Sequence, residues 1–246
     1  MSAFQTFADL HVPGDPVVLY NIWDPGSALA VAAAGAKALA TGSHPVGDAA
    51  GYGDGHKVPL AYVFDNARRI MAVVDLPLTV DFEGAYSADP DQGATNVRDL
   101  QETGAVGCNF EDQVVGGDGL HPLELQFRRI RAIRDAVGSD FFINARTDLL
   151  LKSKQHDDAL IDQVVERGKA FAGAGASGFF VPRLSDPAQI ERVVREVPLP
   201  LNVIAFPGAP EKSVWAQAGV ARISHGPFPH RALMARLTEM AREATG

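Results

Sequence analysis

Eight times along this 246-residue chain, an apolar strand-like run is followed by a helical pattern, and that regularity limits the fold more than any other feature. The runs occupy residues 17–23, 36–43, 76–83, 105–112, 141–148, 178–184, 199–206 and 221–226. Helical patterns follow at 25–35, 60–75, 91–104, 122–138, 159–175, 187–197, 212–219 and 230–244. Within 122–138, Leu123, Phe127, Ile130, Ile133 and Val137 recur at helical spacing, while Arg128, Arg131 and Arg134 take the other face. Glycines 35, 104, 138, 175 and 219 close helices just before the next strand, as short helix-to-strand loops require. Eight such units predict a (β/α)8 barrel forming a single domain over residues 1–246. An open doubly wound sheet is the alternative, but no GxGxxG follows the first strand.

Composition narrows the function. With 46% hydrophobic residues the chain buries a large core, and a net charge of −8 with no basic stripe argues against a nucleic-acid or anionic-membrane partner. Cys108 is the single cysteine, which excludes an internal disulfide and a multi-cysteine metal site. The opening segment MSAFQTFADLHVPGDP has neither a basic nor an apolar leader region, and no run approaches the roughly 20 apolar residues of a membrane span. A cytoplasmic protein is expected.

Three of the runs end in ionisable residues: VDFE (80–83), NFED (109–112) and NARTD (144–148). Side chains alternate along a strand, so Asp81 aligns with Glu83, Asn109 with Glu111, and Asn144 with Arg146. In a barrel these ends face the active-site mouth. A single acid there is equally well a solvated or capping residue, but several carboxylates converging on one mouth repel each other unless a cation or proton intervenes. With oxygen donors alone, that cation is expected to be hard: Mg²⁺, with Mn²⁺ as the alternative.

The segments TGSHPVGDAAGYGDG (41–55), VDFEGAYS, NFEDQ and INARTD, continued by VPRL, NVIAFPG and ARISHGP, resemble in order and spacing the landmarks of the isocitrate lyase/phosphoenolpyruvate mutase superfamily. The resemblance covers roughly residues 17–228. It implies a Mg²⁺-dependent barrel acting on 2-oxo or 2-hydroxy carboxylates, assembled as a dimer or a tetramer of dimers that exchange their C-terminal helix. It further implies that the turn Thr41, Gly42 and Ser43 binds a substrate carboxylate through backbone amides. Asp54 matches a catalytic loop acid, Asp81 and Glu83 the metal acids, and Glu111 a further metal-side and catalytic acid reached through water. Arg146 matches the substrate arginine, whose planar fork suits a bidentate carboxylate pair; a purely structural ion pair with Glu111 or Asp81 is the alternative.

One segment departs from the family. Lyases carry Lys-x-Cys-Gly-His after the fourth strand and phosphonate mutases Lys-x-Asn-Ser, whereas here the run is EDQVVGGDGLHP, with Gly117 and Gly119 at the key positions and His121 remaining. Neither named chemistry transfers intact, and Cys108 reads as a buried core thiol. His121 and His225 are candidate proton carriers, Arg183 and Asn202 further substrate contacts, and His44 a lesser one. Asp112 and Gln113 are expected to orient the loop. Trp23 and Tyr52 read equally as pocket walls or packing. The expected activity is C–C cleavage of a small 2-oxo or 2-hydroxy diacid, with decarboxylation of an oxaloacetate-like acid a prominent version. A phosphonopyruvate-type C–P reaction and a non-catalytic 2-oxo-acid-binding barrel are the alternatives.

Overall fold

A computed structural model describes residues 1–246. All eight expected strands form: β1 (Val17–Leu19), β2 (Leu39–Ala40), β3 (Leu78–Asp81), β4 (Gly107–Glu111), β5 (Phe142–Arg146), β6 (Gly178–Phe180), β7 (Leu201–Ile204) and β8 (Arg222–Ser224). Every ladder is parallel, in the order β1-β8-β7-β6-β5-β4-β3-β2, and an isolated parallel bridge from Ile22 to Thr41 joins the two ends into a (β/α)8 barrel. Each strand is shorter than its apolar run. The run through Glu83 stops at Asp81 because the next residues turn, with Glu83, Ala85 and Tyr86 at φ of 49°, 56° and 59°.

The expected helices also form, as α2 (Pro25–Ala33), α4 (Leu60–Met71), α5 (Pro90–Gln101), α6 (Leu123–Val137), α8 (Asp158–Ala174), α9 (Pro187–Glu196), α10 (Lys212–Gln217) and α11 (Phe228–Thr245). Their starts are chemically marked. Asp24, Asp89 and Asp186 each cap an N-terminus with proline at the first helical position, and Asp24 and Ser27 close a reciprocal capping box. Three short helices were not anticipated: α1 (Ala3–Asp9), α3 (Ser43–Ala49) and α7 (Leu149–Lys152). None is long enough to display a full apolar stripe.

One large apolar cluster lies between strands and helices. A second one, of Phe7, Val17, Leu19, Ala38, Ala40, Val106 and Phe142, draws on alternate strand positions and fills the base of the barrel, where α1 supplies Phe7. Gly107 is required here, because a Cβ on it would lie 2.6 Å from the Phe142 carbonyl oxygen. Above this layer the interior is polar. Asn109 Oδ1 accepts from Asn144 Nδ2 at 2.8 Å and from Arg222 Nη2 at 3.1 Å, placing a fully buried guanidinium on the barrel axis. No helix is long and apolar enough to cross a membrane.

His11 lies under the base with its ring stacked on Phe142 at 4.2 Å and Nδ1 2.9 Å from the Phe7 carbonyl oxygen. Burial, reinforced by Arg222, lowers its pKa from 6.5 to about 3. Since the folded-state value is the lower one, the unfolded chain protonates first as pH falls. The neutral ring's contribution is therefore complete above about pH 6.5 and is lost on the way down toward pH 3. Chemical denaturation between pH 7 and 5 should show stability falling by up to about 1.4 kcal/mol per pH unit from this residue, and His11→Phe should remove that part of the slope. An unchanged slope in the variant would assign the acid sensitivity elsewhere.

Helix α11 leaves Leu233, Met234, Leu237 and Met240 exposed at 51%, 37%, 55% and 52%, a stripe that nothing in its own barrel covers. Light scattering at micromolar concentration should give an oligomer in which this stripe is buried, and Leu237→Glu should shift it toward the monomer. A monomeric parent chain would refute the assembly.

Candidate active site

The C-terminal strand ends open on a cavity of about 580 Å³. Its floor carries Asp81 from β3, Asn109 from β4 and Arg146 from β5, all at inward positions. Arg146 is clamped on two sides. Its Nε and Nη2 donate to the two carboxylate oxygens of Asp148 at 2.6 and 3.0 Å, and Nη1 lies 3.0 Å from Glu111 Oε2. Three of the five guanidinium N–H groups are engaged this way, which leaves one on each terminal nitrogen. Asp148 is fully buried and fixed in turn, because its amide donates to Asp112 Oδ1 at 2.9 Å while Arg167 holds Asp112 Oδ2 at 3.1 Å. Burial raises the Glu111 carboxyl above its ordinary range against the pull of Arg146. It raises Asp112 to about 6.

Beside this clamp sits the acid cluster. Asp81 Oδ2 accepts from the Ser43 amide at 3.0 Å, and Asp81 Oδ1 is buried with no partner. Glu83 is buried behind it and accepts from the His56 amide at 2.9 Å. Burial first, then the charges of Asp54 and Asp81, push the Glu83 carboxyl up to about 8. An orphaned carboxylate oxygen amid mutually repelling acids fits a hard divalent cation. No three acids, histidines or cysteines are grouped tightly enough to enclose an ion alone. The donor set therefore suits Mg²⁺ held by one or two carboxylates and completed by water and substrate oxygens.

Asp54, Asp81, Arg146, Gly42, Ser43 and Arg183 line the cavity, with Arg183 in a left-handed conformation, φ 67°. Five expectations are corrected. The Gly42 and Ser43 amides, expected to bind a substrate carboxylate, instead donate to the Ile22 carbonyl at 3.2 Å and to Asp81, because the turn closes the barrel and begins α3. Thr41 is buried below the mouth, where its Oγ1 accepts from the Asp81 amide at 3.0 Å, so it holds the acid and does not line the cavity. Asn202 also lies below the mouth, hydrogen-bonded to Ser224. His225 follows the inward Ser224, so its ring takes the opposite side and packs on Tyr20. His121 is carried away altogether. The glycine-rich loop folds back on itself, with Val114 N donating to Gly119 O at 3.1 Å and Gln113 bridged to Leu120, and His121 lines a separate cavity of about 200 Å³ with His56 and Arg129.

Sequence reasoning passed over Asp148, although it stands two residues beyond Arg146 at the end of a strand run, the position from which a carboxylate reaches back to the guanidinium. It also missed His156, which lines the cavity with Nε2 3.0 Å from the Leu150 carbonyl oxygen and carries no spacing signal. Cys108 is fully buried, its thiol pushed up to about 12 by burial, as expected of a core residue.

Removing Arg146 strands two buried carboxylates, so Arg146→Ala should cost about 3–5 kcal/mol of stability. Arg146→Lys should recover only part of it, because an ammonium cannot bind Asp148 bidentately. Urea unfolding measures both, and a loss under about 1 kcal/mol for the alanine variant would mean that Glu111 and Asp148 do not depend on this guanidinium.

The phosphoenolpyruvate phosphomutase family model matches residues 7–245. An uncharacterized protein of Mycobacterium tuberculosis is 34% identical over 228 residues, 93% of this chain and 84% of that protein. The 2-methylisocitrate lyase of Escherichia coli is 30% identical over 158 residues, 60% of this chain and 51% of the lyase. Among solved structures, a phosphonomutase-like protein of Burkholderia cenocepacia superposes with a TM-score of 0.95 at 42% identity, covering 98% of this chain and 99% of that one. A phosphonopyruvate hydrolase in complex with oxalate and Mg²⁺ shares the fold, with a TM-score of 0.86 at 22% identity over 98% of this chain and 87% of the hydrolase.

Proposed function

The chain belongs to the phosphoenolpyruvate phosphomutase family of the isocitrate lyase/phosphoenolpyruvate mutase superfamily, and on that premise we propose that it is a Mg²⁺-dependent lyase or decarboxylase cleaving a C–C bond in a 2-oxo or 2-hydroxy carboxylic acid. One observation carries the reading. Asp81, whose Oδ1 has no protein partner, and Arg146, with two N–H groups unengaged, line one cavity floor, which supports a site for a cation beside a site for a carboxylate. When bound, Mg²⁺ supplies Lewis acidity at the substrate's 2-oxygen. Asp81 and Asp54 would hold it, with Glu83 and Glu111 behind them acting through water.

The remaining steps fall to the chain's own groups. Arg146, kept rigid by Asp148 and Glu111, binds the 1-carboxylate and costs no reorganisation when negative charge develops. Asn109 stands on the same floor, and with its Oδ1 taken by Asn144 and Arg222 its Nδ2 would donate to the 2-oxygen as that oxygen becomes an enolate. For an oxaloacetate-like acid, the C3–C4 bond breaks with its electron pair passing to the 2-oxygen, CO₂ leaves, and C3 then takes a proton. His156 lines the same cavity, and as the imidazolium it would deliver that proton from Nδ1, because its Nε2–H donates to the Leu150 carbonyl oxygen. Arg183 suits a second anionic group.

The Burkholderia likeness supports a second reading, a C–P bond reaction. Against it, the hairpin carrying Gly117 and Gly119 brings neither lysine nor asparagine to the cavity. Turnover of oxaloacetate, substituted malates and phosphonopyruvate separates the two readings. Activity should require Mg²⁺ or Mn²⁺ and vanish in excess chelator, and Asp81→Ala should abolish metal affinity measured by calorimetry. Full turnover in chelator would sink the metal assignment, and binding without turnover across the panel would favour a non-catalytic 2-oxo-acid-binding barrel.

A further inference from the structure

The cavity is divided by strand. Its acids and Arg146 come from β2 to β5 and the loops after them, whereas β6, β7, the loop after β7 and the start of α11 contribute Phe180, Ile204, Phe206 and Phe228, with Arg183 and Ser185 on the loop after β6 at their edge. Phe180 and Ile204 occupy the inward strand positions that Asp81 and Arg146 occupy on the other side. Asn202, one level below this wall, and Ser224, in register with Ile204, hydrogen-bond each other at 3.2 and 3.3 Å and so satisfy their own polarity. Gly226 lets the turn after β8 close directly on Ile204, since a Cβ there would lie 2.6 Å from Ile204 Cδ1. The Phe180 and Ile204 part of this wall is thus built into the strands, and Phe206 joins it from the loop after β7. At about 580 Å³ the cavity falls in the range that encloses drug-sized ligands, more than a small diacid fills.

We propose that the substrate carries a bulky apolar substituent at C3 or beyond, seated against Phe180, Ile204, Phe206 and Phe228 while its carboxylate end meets Arg146. This rests on the 2-oxo-acid reading above and adds the class of the side chain. Each methylene buried against such a wall contributes roughly tenfold or somewhat less in affinity, so substituent size is directly readable as a binding ratio.

The test is calorimetry on the full chain with Mg²⁺, titrating oxalate, pyruvate, 2-oxohexanoate and 2-oxo-4-phenylbutanoate. Affinity should rise along the 2-oxo acid series, with the phenyl compound at least about tenfold tighter than pyruvate and displaced by oxalate. Phe206→Ala should shrink the phenyl-to-pyruvate ratio several-fold, and Phe206→Leu should restore part of it. A ratio near one, or a preference indifferent to Phe206, would overturn the apolar subsite while leaving the 2-oxo-acid reading intact. Phenyl-acid binding that oxalate fails to displace would overturn it too. Failure of oxalate and pyruvate to bind at all would overturn both readings together.

Discussion

The guanidinium of Arg146, held between Glu111 and Asp148, is the contact on which the mouth of the barrel depends. It joins β4 to the turn after β5, and through the Asp148 amide, Asp112 and Arg167 it reaches α8 on the outside. A buried carboxylate is tolerated only when paired and hydrogen-bonded, because desolvation outweighs what an isolated charge gains. Glu111 and Asp148 therefore constrain Arg146 as much as it stabilises them. One network thus serves two ends: it locks neighbouring strand ends together, and it presents two N–H groups that need no further ordering to bind an anion.

The acids on the β3 side follow the opposite logic. Asp81, Glu83 and Asp54 repel one another, and no arginine neutralises them directly. The burden appears as the raised Glu83 carboxyl and as the orphaned Asp81 oxygen. The Thr41 hydroxyl and the Ser43 and His56 amides hold these groups in place without removing charge. The two sides of one floor thus differ, with a cation supplied from within at Arg146 and none at Asp81, and that difference is what motivates the proposed metal.

The fold was legible because its signal is redundant: eight runs, eight helical patterns and the glycines between them all point to one architecture. The floor was legible for a related reason. Strand alternation is a strict period of two, so Asp81, Asn109 and Arg146 could be assigned to one face before any coordinates. Legibility ended where the backbone left that period. Glu83 sits in a left-handed turn, and His225 stands one residue past the last inward position. His121 was lost because the glycines that emptied the loop of lysine and cysteine also let it fold back as a hairpin. His156 and Asp148 act through local loop geometry, to which composition and periodicity are blind.

The apolar wall bears on the floor as well as on specificity. Aromatic and aliphatic side chains line the cavity opposite the acids, and a charge near low-dielectric material interacts more strongly than one facing bulk solvent. When a substituent fills that half, the carboxylate end at Arg146 is desolvated too, which strengthens both its pairing with the guanidinium and the polarisation of the 2-oxygen. On the proposed substrate class, binding energy gathered by Phe180, Ile204, Phe206 and Phe228 would be coupled to the reacting end, so a substrate lacking the substituent would lose rate as well as affinity.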